Sequence, residues 1–231
     1  MTEQRYFFVH MQKTGGTSLY TMLRQHLGAQ AVYPRPDDGP AVSRVIDNVL
    51  LRERLGESDE IRVVTGHFPL STVELLPGRW RTFTVLREPV ERTLSFLRHQ
   101  QKVDPARATQ SLEEIYEDPV LFNGLVKNHM VKMLSLPVEG LPQAGVLADV
   151  ELGEPDLNRA VANLKGIDVV GVQIQLESFV DRLNETFGWS LGPVLVTNTT
   201  DPQEPPLGLR ERIAADSHLD VRLYASAMEL A

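Results

Sequence analysis

The stretch "YFFVHMQKTGGTSL", from Tyr6 to Leu19, predicts a buried strand, a glycine-bearing turn and the start of a helix. Four apolar residues come first, and leucines and a methionine then recur at helical spacing over residues 17–27. Between them, Gly15 and Gly16 allow a tight bend of the backbone. A strand that turns in this way into a helix is typical of a phosphate cradle, because the unpaired N–H groups and the dipole of a helix N-terminus attract anions.

The side chains of this turn strengthen that interpretation. A plain turn with a Ser or Thr cap would explain the hydroxyls, but a lysine beside two glycines favours phosphate binding. We therefore predict an anion site, in which one of the hydroxyls can also cap the helix. Its residues are Lys13, Thr14, Gly15, Gly16, Thr17 and Ser18.

The order of these residues differs from that of a nucleoside-triphosphate loop. In the pattern G-x-x-x-x-G-K-[ST] the lysine follows the glycines, whereas Lys13 precedes them. Moreover, the predicted strands that end near Val64 and Leu86 continue into Thr65-Gly66-His67 and Arg87, so neither offers a carboxylate for magnesium. Because triphosphate chemistry normally uses that ion, we expect no metal and no magnesium-dependent phosphoryl transfer.

Short apolar bursts bounded by polar residues predict four strands of a parallel sheet, and helical patterns lie between them. The strands are Tyr6–Val9, Ile61–Gly66, Arg81–Leu86 and Asp168–Val172. The helices are residues 17–27, 45–55, 89–97, 176–187 and 219–230. The expected fold class is α/β, a single domain over residues 1–231 with a central parallel sheet flanked by helices. Two stretches rich in Pro and Gly, 134–155 and 188–208, are predicted to be surface loops.

The length, the net charge and the lack of cysteine exclude or disfavour several functional classes. The 231 residues are 42% hydrophobic, which is enough for a sizeable core, and carry a formal net charge of −8. That charge disfavours general binding to nucleic acid or to membrane surfaces. The absence of cysteine excludes disulfides, cysteine–zinc sites and cysteine nucleophiles. No stretch reaches the length of a membrane span, so a cytoplasmic location without an integral membrane segment is expected.

A second anion site is predicted where "LREPVERTLS" (residues 86–95) leaves the sheet. Arg87 follows the strand, and Ser95 lies two helical turns further on. Ligands bind at this edge of open α/β sheets, and a guanidinium matches phosphate geometry. The alternative is a pair of surface ion pairs, Arg87–Glu91 or Glu88–Arg92, which would contribute little.

A general base is predicted in "VVTGHFPL" (residues 63–70). His67 is expected to be exposed at the same edge of the sheet as the two anion sites, and histidine serves as a base near neutral pH. The other five histidines are less well placed, and His129 is the next candidate.

Together, "QKTGGTS", "LREPVERTLS" and "TGHFP" resemble the sulfotransferases that use 3′-phosphoadenosine 5′-phosphosulfate (PAPS). The branch that they resemble is a bacterial one related to carbohydrate 2-O-sulfotransferases, and weaker similarity covers nearly the whole chain. The resemblance implies a fold like that of P-loop nucleoside-triphosphate hydrolases. Ile174 and Gln175 depart from the relatives, which usually carry an acid and an arginine after this strand.

The resemblance also implies a role for each site. The segment Thr14–Ser18 would hold the 5′-phosphate, and Arg87 with Ser95 would hold the 3′-phosphate. His67 would take a proton from an acceptor hydroxyl, and Lys13 would stabilise the leaving phosphate. PAPS is then the co-substrate, and 3′,5′-ADP (PAP) is the product.

The acceptor is expected to be a hydroxyl of a small molecule, carbohydrate or lipid, contacted by the loops after Gln101 and around 134–155. Two alternatives stay open, a kinase-like phosphotransferase and a catalytically silent nucleotide-binding module. The oligomeric state cannot be predicted.

Overall fold

The protein is described by a computed structural model over residues 4–39, 45–140, 145–194 and 204–231. Five parallel strands form one sheet in the order β2-β3-β1-β4-β5. The strands are β1 (Arg5–Val9), β2 (Val32–Tyr33), β3 (Val63–Val64), β4 (Trp80–Leu86) and β5 (Val169–Val172). The predicted α/β fold class with a central parallel sheet is therefore confirmed.

Ten α-helices surround the sheet within these residues. They are α1 (Gly16–Leu27), α2 (Asn48–Glu57), α3 (Pro89–Val103), α4 (Leu112–Tyr116), α5 (Pro119–Leu121), α6 (His129–Ser135), α7 (Glu154–Lys165), α8 (Leu176–Phe187), α9 (Leu209–Asp216) and α10 (His218–Leu230). Within the described ranges, no helix is long and apolar enough to cross a membrane.

The sheet separates two apolar cores. Alternate residues of the central strand point to opposite faces, so Phe7 belongs to one core and Phe8 to the other. The core on the Phe8 face includes side chains from α1 and α8. The core on the Phe7 face is larger and includes side chains from α2, α3, α6, α7 and α10. Because both faces are covered, the functional groups collect at the edge where the strands end.

The predicted element boundaries hold with local exceptions. All four predicted strands are present, although β3 is limited to Val63–Val64. The two-residue β2 was not predicted, because so short a strand leaves no periodic pattern. Helix α2 begins at Asn48 instead of residue 45, since the Asp47 carboxylate accepts hydrogen bonds from the N–H groups of Val49 and Leu50 and caps it.

The two predicted loops are only partly described. The 134–155 stretch is not wholly loop: α6 reaches Ser135, single 3₁₀ turns form at Val138–Gly140 and Gly145–Leu147, and α7 begins at Glu154. Much of the predicted loop over 188–208 lies outside the described residues, since 195–203 are not among them.

Candidate functional site

A cleft of about 1010 Å³ opens at the carboxyl edge of the sheet, where β1, β3 and β4 end. It brings together nearly all of the predicted site residues: Lys13, Gly15, Gly16, Thr17, Ser18, His67, Arg87 and Ser95. Thr14 does not line it. The Thr14 side chain is buried, and its hydroxyl donates to the Met11 carbonyl at 2.9 Å, so it shapes the turn from inside.

The phosphate loop adopts an unusual backbone. Lys13 has a φ of 67° and Gly15 a φ of 98°, both in the left-handed region that favours glycine. A lysine held there is strained by about 1–3 kcal/mol, and such strain clusters at binding and catalytic sites. The residue before α1 is Gly15, and it makes no side-chain cap, so the prediction of a hydroxyl cap is wrong. The helix N-terminus therefore faces the cleft without a side chain of its own as a cap.

His10 is part of this site, although the sequence placed it only at the end of the first strand. Its ring stacks on Phe8 at 4.9 Å between ring centroids and lies over Gly16. A Cβ atom at Gly16 would lie 1.8 Å from the His10 Nε2 atom, so only glycine fits. Burial lowers the pKa of His10 well below its usual value, and the neighbouring His67 and Lys13 lower it further. His10 is therefore neutral.

His67 is half-buried instead of exposed, which corrects the prediction. Its Nδ1 atom lies 2.9 Å from the His10 carbonyl oxygen. Since a carbonyl only accepts hydrogen bonds, Nδ1 carries the proton and Nε2 has the lone pair. Burial lowers the pKa of His67, and the charges of Arg92 and Lys13 add to this against the opposing effect of the His10 carbonyl. The imidazole is thus a neutral base.

Arg87 links the second anion site to the first. It follows β4, and its Nη1 atom donates to the Lys13 carbonyl oxygen at 3.1 Å. Its Nε atom is buried and makes no hydrogen bond to the described residues. Among the described residues this Nε donor has no acceptor, so it could donate to a bound anion. Ser95, on α3, is 7% exposed and lines the same cleft.

The alternative of surface ion pairs at this point is wrong. Glu91 pairs with Arg210 and not with Arg87. Arg92 is buried, 1% exposed, and donates to the Leu125 carbonyl oxygen and not to Glu88. The Glu88 carboxylate instead caps α3 by accepting from the Glu91 N–H at 2.7 Å.

Positive charge dominates the cleft of this acidic protein. His99 and Lys102 follow Ser95 at helical spacing on α3 and also line it. Burial lowers the pKa of Lys13, as do the nearby charges of Arg87 and Lys102. Among the described residues that line the cleft, Glu177 is the only acid. The cleft therefore suits an anionic ligand.

The turn where the sequence departs from its relatives borders the phosphate loop. Residues Gln173–Gln175 form a single 3₁₀ turn between β5 and α8, and all three line the cleft. A Cβ atom at Gly15 would lie 3.2 Å from Leu176, the first residue of α8, and 4.0 Å from Gln173, so the turn and the start of α8 pack closely on the loop. Ile174 is 66% exposed and adds apolar surface at the rim of the cleft.

His129 does not line the cleft, so the second candidate base is not in place. It is fully buried in α6, where burial and then the charges of Arg92 and Lys132 keep its pKa well below the usual value. No group of three or more His, Asp or Glu side chains suited to hold a metal ion occurs in the described parts of the chain.

Comparisons with known proteins show a likeness in fold. No protein-family model matches this chain, and no curated protein matches it. Among solved structures, a sulfotransferase from Alicyclobacillus acidocaldarius superposes with a TM-score of 0.53 at 18% sequence identity. The alignment covers 100% of this chain and 98% of that one. The chain therefore has, over its whole length, the fold of a solved sulfotransferase.

Proposed function

We propose that this protein is a PAPS-dependent sulfotransferase. It would move the sulfuryl group of PAPS to an acceptor hydroxyl and release 3′,5′-ADP. The observation that carries the proposal is the Arg87–Lys13 hydrogen bond, because it joins the residues of the two predicted anion sites in the cleft that His67 also lines. A nucleotide with phosphates on both its 3′ and 5′ positions needs two such sites.

The residues present fit that co-substrate. The strained loop with an uncapped helix end suits a 5′-phosphosulfate. The buried Arg87 Nε atom, which has no acceptor in the described part of the chain, and the Ser95 hydroxyl suit a 3′-phosphate. Ile174 and Leu176, on the other side of the loop, offer an apolar surface to the rest of the nucleotide.

The reaction follows from the protonation states of the chain's own groups. His67 Nε2 accepts the proton of the acceptor hydroxyl, while the bond from Nδ1 to the His10 carbonyl holds the ring in place. The acceptor oxygen forms a bond to sulfur as the bond from sulfur to the phosphate oxygen breaks. Lys13 lies where negative charge collects on the departing phosphate. Positioning and charge stabilisation thus supply the catalysis.

No specific observation favours the two other functions. A kinase-like phosphotransferase commonly holds magnesium on carboxylates, and the cleft offers Glu177 alone among its described residues. A catalytically silent module has no need of a base with a fixed tautomer, yet His67 has one.

Calorimetric titration of an Arg87→Ala variant tests the proposal. We expect its affinity for 3′,5′-ADP to fall by about 10- to 100-fold, because a charge-assisted bond to the 3′-phosphate is lost. Affinity for AMP, which lacks that phosphate, should change much less. Arg52→Ala, an exposed arginine on α2, is the matched control. Equal losses for both nucleotides, or no binding by the wild-type protein, would refute the proposed function.

A further inference from the structure

We propose that the acceptor is an alcohol or phenol with an apolar carbon framework, which packs against an aliphatic wall beside His67. We call Val45, Ile46, Leu125 and Leu147 the acceptor wall; all four line the cleft. This inference rests on the proposed function and narrows it to one class of substrate.

The two apolar sides of the cleft belong to different cores. Leu176 packs against the core on the Phe8 face and lies next to Gly15 of the phosphate loop. Ile46 and Leu125 belong to the core on the Phe7 face. Since the sheet separates these cores, the two sides of the cleft would contact different substrates, one the nucleotide and the other the acceptor. The side that adjoins the phosphate loop is the nucleotide side.

The acceptor wall adjoins the base. The backbone N–H of His67 donates to the Val45 carbonyl oxygen at 2.7 Å, so the wall begins next to the residue that carries the base, and both line the cleft. The segments that carry Leu125 and Leu147 pack against each other, because a Cβ atom at Gly124 would lie 3.3 Å from the Leu147 carbonyl oxygen. An acceptor whose hydroxyl reaches His67 therefore has this wall next to its carbon framework.

The side chains of the wall can form no hydrogen bonds. A sugar would bring several hydroxyls against them, and each hydroxyl would lose water without a new partner. An apolar framework gains from the same contact. Leu147 and Val103 are also exposed large apolar residues at the cleft, at 36% and 53%, which is typical of a binding surface for an apolar ligand.

The other basic residues of the cleft lie near Lys13, where the nucleotide would bind. His99 and Lys102 share a face of α3 with Ser95. Burial lowers the pKa of His99, and the charges of Lys13 and Lys102 lower it further. His99 is therefore neutral, and the Lys102 cation lies near enough to Lys13, where the phosphosulfate would bind, to lower the Lys13 pKa. An anionic acceptor is not needed to explain this charge.

Two buried cations hold the wall in place from behind. The Lys132 ammonium donates to the carbonyl oxygens of Asn123, Gly124 and Ala148 at 2.7, 2.9 and 2.9 Å. The Arg92 guanidinium donates twice to the Leu125 carbonyl oxygen, once at 3.0 Å. Neither cation lines the cleft, and both are about 1% exposed or less.

These bonds fix two segments at once. Asn123, Gly124 and Leu125 lie in the π-helical turn Phe122–Val126, and Ala148 directly follows the turn Gly145–Leu147. Turns of this π-helical kind are frequent at functional sites. Burying two cations is costly, so we assign Arg92 and Lys132 as positioning residues for Leu125 and Leu147.

A panel of acceptors with labelled PAPS tests the proposal. It compares 2-naphthol and 1-octanol with N-acetylglucosamine and desulfated heparin. We expect kcat/KM to be at least about tenfold higher for the apolar acceptors. Leu147→Ser should raise the KM for the better apolar acceptor about tenfold, with kcat and the affinity for 3′,5′-ADP unchanged. Leu207→Ser, fully exposed and outside the cleft, is the matched control.

Lys132→Met tests the positioning role. We expect the same rise in the KM for the acceptor and an unchanged affinity for 3′,5′-ADP. Lys165→Met, on the exposed side of α7, is the control and should match the wild type. If Lys132→Met does not fold, Leu147→Ser still tests whether the acceptor wall contacts the acceptor. A preference for either sugar, or an unchanged KM in Leu147→Ser, overturns the inference about the acceptor. If the wild-type protein still binds 3′,5′-ADP in that case, the proposed function is not contradicted. Failure of the wild-type protein to bind 3′,5′-ADP overturns both.

Discussion

The carbonyl group of His10 decides what the His67 imidazole can do. Without a hydrogen-bond partner, a neutral histidine exchanges its proton between its two nitrogens, and the ring rotates. Here the 2.9 Å bond to the His10 carbonyl keeps the proton on Nδ1. The lowered pKa keeps Nε2 unprotonated at neutral pH. The backbone oxygen thus sets the orientation and the tautomer of the imidazole, and burial keeps the imidazole neutral.

If the protein has the proposed activity, the pH profile of the wild type should report the pKa of His67. Because burial lowers it, the active neutral form persists below pH 6.5, the usual value for histidine. The kcat/KM should stay constant at neutral pH and fall only as acidification protonates His67. His67→Ala should lose about 10²–10⁴-fold in kcat and keep its affinity for 3′,5′-ADP. His218→Ala, exposed on α10, should match the wild type. Full activity in His67→Ala would place the base elsewhere.

At the scale of elements, the shape of the predicted phosphate loop depends on an unusually close approach between the end of β1 and the start of α1. The first helical residue, Gly16, has no side chain, and the His10 ring from the end of β1 fills that space. The same ring stacks on Phe8 and lies 4.7 Å from the His67 ring. Gly16 therefore makes room for the His10 ring, which packs next to His67, and also allows the tight turn.

Gly16→Ala should disrupt this fit. The added methyl would meet the His10 Nε2 at 1.8 Å, so the His10 ring must move and the loop must shift. We expect 3′,5′-ADP affinity to fall by at least about tenfold and stability by about 1–3 kcal/mol. Gly56→Ala, in α2, meets nothing within 4 Å and should be neutral or slightly stabilising. Calorimetry and urea unfolding measure both effects. Wild-type binding by Gly16→Ala would contradict the close packing described here.

At the scale of the whole molecule, reciprocal caps tie the end of the chain to its middle. The Asp220 carboxylate accepts from the N–H groups of Met130 and Val131 at the start of α6. The Asn128 side chain accepts from the N–H groups of Leu219 and Asp220 at the start of α10. Asp220 also lies close enough to Arg92 and Lys132 to raise their pKa values and so stabilise their positive charges. The positioning of the acceptor wall thus depends on the last helix.

Asp220→Ala should therefore destabilise the whole fold. It leaves two buried N–H groups without acceptors and removes an anion near the buried Arg92 and Lys132, which should cost about 3 kcal/mol. Urea unfolding at pH 7 measures the loss. Asp181→Ala, exposed on α8, is the control. An unfolding midpoint equal to that of the wild type would contradict the role of these caps.

The wild-type stability should also depend on pH through this carboxyl. Burial raises the pKa of Asp220 from 3.8 to about 6, against the lowering effect of the Val131 and Met130 N–H groups. The folded carboxyl therefore holds its proton more tightly than the unfolded one. Its contribution to the free energy of unfolding is present below about pH 4 and is lost as the pH rises through about 6. Asp220→Ala should lack this part of the pH dependence.

The sequence by itself determined the parallel sheet and the three segments that meet at its edge. Apolar runs and helical spacing are local properties, and parallel strands all end at one edge, so Lys13, His67 and Arg87 could be placed together in advance. The Lys13 position ahead of the glycines was likewise readable from the order of residues alone.

Only the tertiary structure decided how these groups are arranged. The place of His10 over Gly16, the proton on His67 Nδ1 and the cations behind the acceptor wall all depend on contacts between residues far apart in the chain. Such contacts leave no periodic pattern, because they are set by how the two cores pack against the sheet. For that reason the sequence predicted an anion site and a base, and the tertiary structure decided the tautomer of the base and the wall beside it.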